Sequence, residues 1–178
     1  MNHFNDKIIG WFTFFRLYKD MAESLPNGAT VVEVGVYEGK SFAYLMVEMI
    51  NAGKRFNIFA VDSFTFTGEN GKSILDNFIE NMKPVEGKYN IIKDQSWDAA
   101  NKFKDGSIDF VFIDADHVYE SVKRDILAWL PKIKKGGVIA GHDYCNEHPG
   151  VIRAVDEIFG EKLNRDYIDE LCWMIMIC

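Results

Sequence analysis

Cysteine is scarce in this chain: three residues in 178, Cys145, Cys172 and Cys178, with no Cys-x-x-Cys spacing among them. That pattern gives neither a disulfide framework nor a zinc ribbon, and it reads as reduced thiols in a cytoplasmic protein. No apolar run approaches the ~18 residues needed to span a bilayer. The N-terminus has no basic stretch leading into an apolar run and a small-residue cleavage site, so neither a membrane span nor a secretory leader is expected. Positive charge is also in short supply, since 20 Lys and Arg against 27 Asp and Glu leave a net charge of −7. Nucleic-acid affinity draws on Lys and Arg neutralising phosphates. Here the basic residues are scattered, with short clusters such as Lys132, Lys134 and Lys135. The expected partner is a small molecule, not a nucleic acid or a membrane, and no feature fixes an oligomeric state.

Three ligand motifs are missing as well. There is no Gly-x-Gly-x-x-Gly to pack a dinucleotide pyrophosphate on a helix, and Gly39-Lys40-Ser41 lacks the earlier glycine of a phosphate loop. No Asn/Asp-Pro-Pro-Tyr follows any apolar strand.

What is present is a balanced globular composition, 48% hydrophobic and 26% charged. A chain of this length buries about two-thirds of its unfolded surface in one core. Apolar residues from Phe4 to Leu25 recur largely at helical spacing, which predicts a helix over 3–25 ended by Pro26-Asn27-Gly28. Residues 1–27 are read as a helical extension and 28–178 as the core of a single domain. From Thr30 onward short apolar runs alternate with amphipathic segments. Strands are expected at Thr30–Gly35, Phe56–Asp62, Tyr89–Lys93, Ile108–Asp114, Val138–Gly141 and Leu171–Cys178, with helices between them. Lys135-Gly136-Gly137 is read as the turn into the fifth strand, and Tyr167–Ile168 as a short strand forming a hairpin with the last. Alternation of this kind means a parallel sheet covered by helices on both faces, an α/β three-layer sandwich of Rossmann-like form. Ligands of such sheets bind beyond the carboxyl ends of the strands. Gly35, Asp62, Asp94, Asp114 and Asp143 therefore belong to one rim.

The first strand runs into Glu33-Val-Gly35-Val-Tyr-Glu-Gly39-Lys-Ser41. Glycine directly after a strand permits a sharp turn and close approach to a ligand. At the end of the second strand, Asp62 is placed to accept hydrogen bonds from both hydroxyls of a ribose; the other reading is a helix cap or loop aspartate.

With these residues in view, the chain resembles the class I S-adenosylmethionine-dependent methyltransferases over residues 28–178. The resemblance lies in VVEVGVYEGKS, FAVDSF, FVFIDADHVYESVKRDILAWLPKIKKGGVIAGHDY and PGVIRAVDEIFG, in that order. It is similar to the subgroup with Ile-Asp-x-Asp-His after the fourth strand and Gly-His-Asp-Tyr after the fifth. The resemblance implies a seven-stranded sheet whose last strand is antiparallel, with S-adenosylmethionine as cofactor. By it, Glu33, Gly35, Gly39 and Ser41 surround the methionine end and Asp62 with Ser63 the ribose. Asp94, Gln95 and Ser96 lie beside the adenine, Asp94 having the alternative of capping the next helix. Asp114 sits under the sulfonium.

Methyl transfer from a sulfonium is a displacement that needs alignment, and a hydroxyl acceptor also needs its proton removed. Asp114, Asp116, His117, His142 and Asp143 converge at adjacent strand mouths. Related metal-dependent O-methyltransferases hold a cation with one acid after strand four and an acidic pair after strand five, and here that pair is His142-Asp143. Two readings stand. In one, Asp114, Asp143 and His142 hold a divalent metal, Mg²⁺ or a softer ion better suited to imidazole. In the other, His117 or His142 is the base and no metal takes part. Asp116 also suits the N-cap of the following helix, and His148-Pro149-Gly150 reads as a loop before one. The Phe64–Gly71 stretch is either a substrate lid or a plain surface loop. The expected reaction is O-methylation of a small hydroxylated substrate, a sugar or natural-product intermediate. A nicotinamide-dependent oxidoreductase and a non-catalytic, cofactor-binding partner subunit are the alternatives.

Overall fold

A computed structural model describes residues 1–178. The elements, in chain order, are α1 (Phe15–Ser24), β1 (Ala29–Val34), α2 (Lys40–Asn51), β2 (Phe56–Asp62), α3 (Ile74–Asn81) and β3 (Asn90–Lys93). They continue with α4 (Ser96–Ala99), β4 (Ile108–Ile113), α5 (Tyr119–Trp129), β5 (Ile133–Gly141), α6 (Pro149–Phe159) and β6 (Trp173–Met176). The six strands lie in the order β3-β2-β1-β4-β5-β6, all parallel except β6, which runs antiparallel to β5. No helix is long and apolar enough to cross a membrane.

Two-residue periodicity builds the layers. Val31, Phe110, Phe112, Val138 and Ala140 share a core with α1, α2 and α3. Their strand neighbours Val32, Val111, Ile113 and Ile139 share the other core with α4, α5 and α6. Successive side chains of a strand point to opposite faces, so a strand covered on both must be apolar throughout. The β4 sequence Ile-Asp-Phe-Val-Phe-Ile answers to this and is buried along its whole length. Its one acid, Asp109, accepts the Thr30 N–H and pairs with Lys134 at 2.8 Å. Burying Phe110 and Phe112 completely contributes on the order of 2 kcal/mol each.

Three local expectations are corrected. The helix predicted over 3–25 is a 3₁₀ turn at Asn5–Lys7, an extended stretch through Gly10 (φ +136°), and then α1. Ile8, Phe12 and Phe14 are buried along this extended path, so tertiary packing overrides the helical periodicity. The helix starts where it does because Glu170, from the far end of the chain, accepts the N–H groups of Arg16 (2.8 Å) and Leu17 (3.1 Å). Those are orphan donors of a first turn whose own N-cap residue, Phe14, offers no side-chain acceptor.

The sheet has six strands, not seven. Tyr167 leads into a 3₁₀ turn (Ile168–Glu170) in place of pairing with the last strand, and the seventh strand is reduced to one antiparallel bridge, Asn164 to Met174. Residues 165–170 are engaged elsewhere: Glu170 caps α1, and the Tyr167 hydroxyl donates to Asp20 at 2.8 Å. Lys135–Gly137 is not the turn into β5 but an irregularity within it. Ile108 pairs with Ile133 and Phe110 with Val138, so β5 carries extra residues between consecutive pairings.

Candidate active site

The strand order reverses between β1 and β4, and there the ladder runs past the strand ends. Gly35 N–H donates to Val61 (2.8 Å), Asp114 N–H to Val34 (2.8 Å), His142 N–H to Ile113 (3.1 Å) and Asp94 N–H to Asp62 (3.1 Å). These bonds fix the rim residues by the backbone, independently of any side-chain contact. A cleft of about 480 Å³ opens over the Asp62 side and a wider one of about 820 Å³ over the His142 side. Gly35, Tyr37, Asp114, Ala115 and His117 line both, so the two chambers join above the β1–β4 gap.

The turn after β1 needs glycine for two physical reasons. Gly35 has φ +87°, and a Cβ there would lie 1.9 Å from the Asp114 carbonyl oxygen. The glycine thus lets the turn pass directly against the end of β4. Gly39 (φ +92°) starts α2, and a Cβ would press on Met82 and Phe78 at 3.0 Å. Glu33 does not reach either chamber. It is fully buried beneath the turn, accepting the Ser41 hydroxyl at 2.5 Å. Burial pushes its carboxyl up to about 8, against the lowering by Ser41 and Tyr18. Ser41 itself lines the wider chamber beside Lys40.

Asp62 closes the turn from β2. Its two oxygens accept the N–H of Tyr37 (2.9 Å) and of Phe64 (2.8 Å). Each carboxylate oxygen keeps a further lone pair for a ligand hydroxyl. Ser63, Gln95 and Ser96 line the same smaller cleft, with Trp97. Asp94 is not among its walls: it accepts Gln95 N–H at 2.9 Å and pairs with Lys102 at 3.0 Å, the position of a loop cap. The segment after β2 folds over this cleft as a small hairpin, bridged between Thr67 and Ser73. Asn77 holds it to the glycine turn, bonding both Glu38 (2.8 Å) and Asn70 (3.0 Å).

At the other end of the gap one carboxylate gathers three imidazoles. Asp143, held at φ +59°, lies 2.7 Å from His117 Nε2, 3.1 Å from His142 Nδ1 and 3.7 Å from His148 Nε2. Burial raises the Asp143 carboxyl, but the bond from His142 and the charges of the three histidines hold it below its ordinary value. His142 is buried, its Nε2 lying 2.9 Å from the Thr13 hydroxyl. Desolvation opposes its protonation, yet Asp143 and Asp114 together raise its pKa. Asp114 is the counterpart: desolvation pushes it up to about 7, against the pull of His142 and with the repulsion of Asp143.

Ligand atoms of Asp114, His142 and Asp143 fall within 4.8 Å of one another, as do those of His117, Asp143 and His148. His148 is the residue that sequence reasoning passed over: it stands immediately before α6 and also packs its ring 4.1 Å from that of His117. Thr13, from the extended N-terminal stretch, is the other. Asp116 accepts the N–H groups of His117 (2.7 Å) and Val118 (3.1 Å), fixing the approach to α5.

The chain has counterparts among known proteins. The methyltransferase-domain family matches residues 32–144. The uncharacterized protein R132 of Acanthamoeba polyphaga mimivirus is 30% identical over 166 residues, 83% of this chain and 69% of that one. Among solved structures, the O-methyltransferase NovP superposes with TM-score 0.65 at 19% identity, covering 92% of this chain and 78% of its own. CalS11, a TDP-rhamnose 3'-O-methyltransferase of calicheamicin biosynthesis, does so with TM-score 0.67 at 15% identity, covering 91% and 77%. At such identities the likeness is one of fold. The family match decides for methyl transfer over the nicotinamide and partner-subunit alternatives, and S-adenosylmethionine is the cofactor expected of it. The chain belongs to the methyltransferase-domain family and is an S-adenosylmethionine-dependent methyltransferase.

Proposed function

We propose that the protein methylates a hydroxyl group of a small, hydroxylated acceptor, such as a sugar or a natural-product intermediate, with His117 as general base. The observation that carries this reading is the 2.7 Å contact between His117 Nε2 and Asp143, at the junction of the two chambers. A neutral His117 that donates Nε2–H to Asp143 leaves Nδ1 free to accept a proton. The adenosyl part of the cofactor fits the smaller cleft, its ribose against Asp62 and Ser63. The methionine part fits the turn Gly35–Ser41, where Lys40 and the α2 N-terminus suit its carboxylate. Asp114 supports the sulfonium, since a cation there favours the ionised form that burial disfavours.

The acceptor then occupies the wider chamber. As the oxygen–methyl bond forms and the sulfur–methyl bond breaks, the hydroxyl proton passes to His117 Nδ1 and neutral S-adenosylhomocysteine remains. His142 has both nitrogens engaged, by Asp143 and Thr13, which leaves it the weaker candidate for base and a better electrostatic partner for Asp114. Resemblance to two O-methyltransferases, one named for a sugar nucleotide, supports the acceptor class.

A second form of the reading adds a divalent cation, favoured by the convergence of Asp114, His142 and Asp143. Those three side chains would hold it, and it would lower the pKa of the acceptor hydroxyl. Incubation with methyl-labelled cofactor and a panel of hydroxylated acceptors tests both forms. The expected product is an O-methyl ether whose formation His117→Ala slows by about 10²–10⁴-fold. Methylation of amines alone, or an unaffected variant, would contradict the reading, and a rate unchanged by EDTA removes the metal form.

A further inference from the structure

His148-Pro149-Gly150, at the start of α6, takes no part in the methyl transfer proposed above. Its glycine has a packing reason. A Cβ at Gly150 would lie 2.4 Å from the His117 carbonyl oxygen and 2.7 Å from the Tyr119 nitrogen, so this turn presses on the backbone that leads into α5. Pro149 opens the helix at a position that needs no N–H. On the other side, two backbone bonds close the chain from Asp143 to His148: Cys145 N–H donates to Asp143 (2.8 Å) and His148 N–H to Cys145 (3.0 Å). Backbone packing thus delivers His148 to His117 and Asp143, and all three line the wider chamber.

We infer that His117, Asp143 and His148 form a site for a zinc-class divalent cation, apart from the inner set Asp114, His142 and Asp143, and that an ion held there silences methyl transfer. The silencing rests on the reading of His117 as general base. Nε2 of His117 lies 2.7 Å from the Asp143 carboxylate and Nε2 of His148 lies 3.7 Å from it. The three donor atoms all fall within 4.8 Å of one another. Donors around a tetrahedral zinc, at ~2.0–2.1 Å from it, stand about 3.3 Å apart, so these distances straddle what the ion needs. Two imidazoles and one carboxylate suit zinc and its first-row neighbours over Mg²⁺ or Ca²⁺. A neutral imidazole has one N–H and one lone pair. As a base, His117 carries its proton on Nε2 and offers Nδ1. With an ion on Nε2 the ring proton must sit on Nδ1, and no lone pair is left to take the proton of the acceptor.

The test is titration of the whole, metal-free chain with cobalt(II) chloride, the coloured stand-in for zinc, followed by its visible d–d bands. Bands that zinc chloride bleaches are expected in the wild type and in His142→Gln. His148→Gln, at a side chain a third exposed, should weaken cobalt binding by at least about tenfold. Absence of bands in the wild type, or bands that survive in His148→Gln, overturns the site. In methyl-transfer assays zinc should lower the wild-type rate, EDTA should restore it, and His148→Gln should keep its own metal-free rate when zinc is added. A rate raised by zinc overturns the silencing. Zinc bound through His148 with an undiminished rate also overturns it, and removes His117 as base. Slow transfer in His117→Ala without cobalt bands in the wild type strikes the ion site alone and leaves the base in place.

Discussion

The carboxylate of Asp143 lies 2.7 Å from Nε2 of His117, and its other oxygen lies 3.1 Å from Nδ1 of His142. One acid thus orients two imidazoles that differ in burial: His117 stands open to both chambers, while His142 is closed in by Phe14, 4.7 Å from its ring. The division of labour proposed for the two histidines follows from that difference.

His117→Ala and Asp143→Asn are expected to lower turnover, the first by about 10²–10⁴-fold, the span typical of a positioned general base. Cofactor affinity should change little in His117→Ala. Single-turnover rates beside calorimetric titration with S-adenosylhomocysteine check both, and a comparable loss in binding and rate would assign His117 to the cofactor.

Gly35→Ala puts a methyl group where only 1.9 Å separates it from the Asp114 carbonyl oxygen, in a backbone conformation that L-residues resist. Destabilisation of at least about 2 kcal/mol is expected, since strain at positive φ adds to the clash. Urea denaturation measures it, and a variant as stable as the wild type would mean the turn does not sit against β4.

Glu33 carries its proton to about 8 in the fold, against 4.5 for the free group. The folded state therefore binds more protons than the unfolded one between those values, and stability falls as pH rises across that window. Glu33→Gln cannot ionise. It is expected to gain about 1–3 kcal/mol relative to the wild type on going from pH 4.5 to pH 8. Denaturation curves at the two pH values check this, and a pH-independent difference would contradict it.

Asp114 is raised to about 7, and if it lies beneath the sulfonium as proposed, binding of the charged cofactor is expected to depend on pH. A sulfonium favours the carboxylate, so at pH below about 7 its binding must first expel a proton. Affinity for S-adenosylmethionine should fall as pH drops from 8 to 6, by at most about tenfold per unit. Neutral S-adenosylhomocysteine should respond less. Parallel pH curves for the two ligands would remove Asp114 from beneath the sulfur.

The rim was legible in the sequence because each residue in it ends an apolar strand. Gly35, Asp62, Asp114 and Asp143 follow β1, β2, β4 and β5, and a parallel sheet must bring such ends together. What could not be read depended on contacts between distant segments. Gly10 and Thr13 within the apolar N-terminal stretch were the local sign that no continuous helix would form. That α1 begins at Phe15 required Glu170, and that Thr13 reaches His142 required the extended path before it. The missing seventh strand has the same origin, since the residues that would form it tie down the N-terminus instead.

Asp62→Ala tests the central claim most directly, because Asp62 both closes the glycine turn through Tyr37 and faces the proposed ribose. Calorimetric titration with S-adenosylhomocysteine should show binding to the wild type and a loss of about tenfold or more in the variant, as removal of a charged hydrogen-bonding partner implies. Unchanged affinity in a folded Asp62→Ala, or no heat from the wild type at millimolar ligand, would contradict the placement of the cofactor in this cleft.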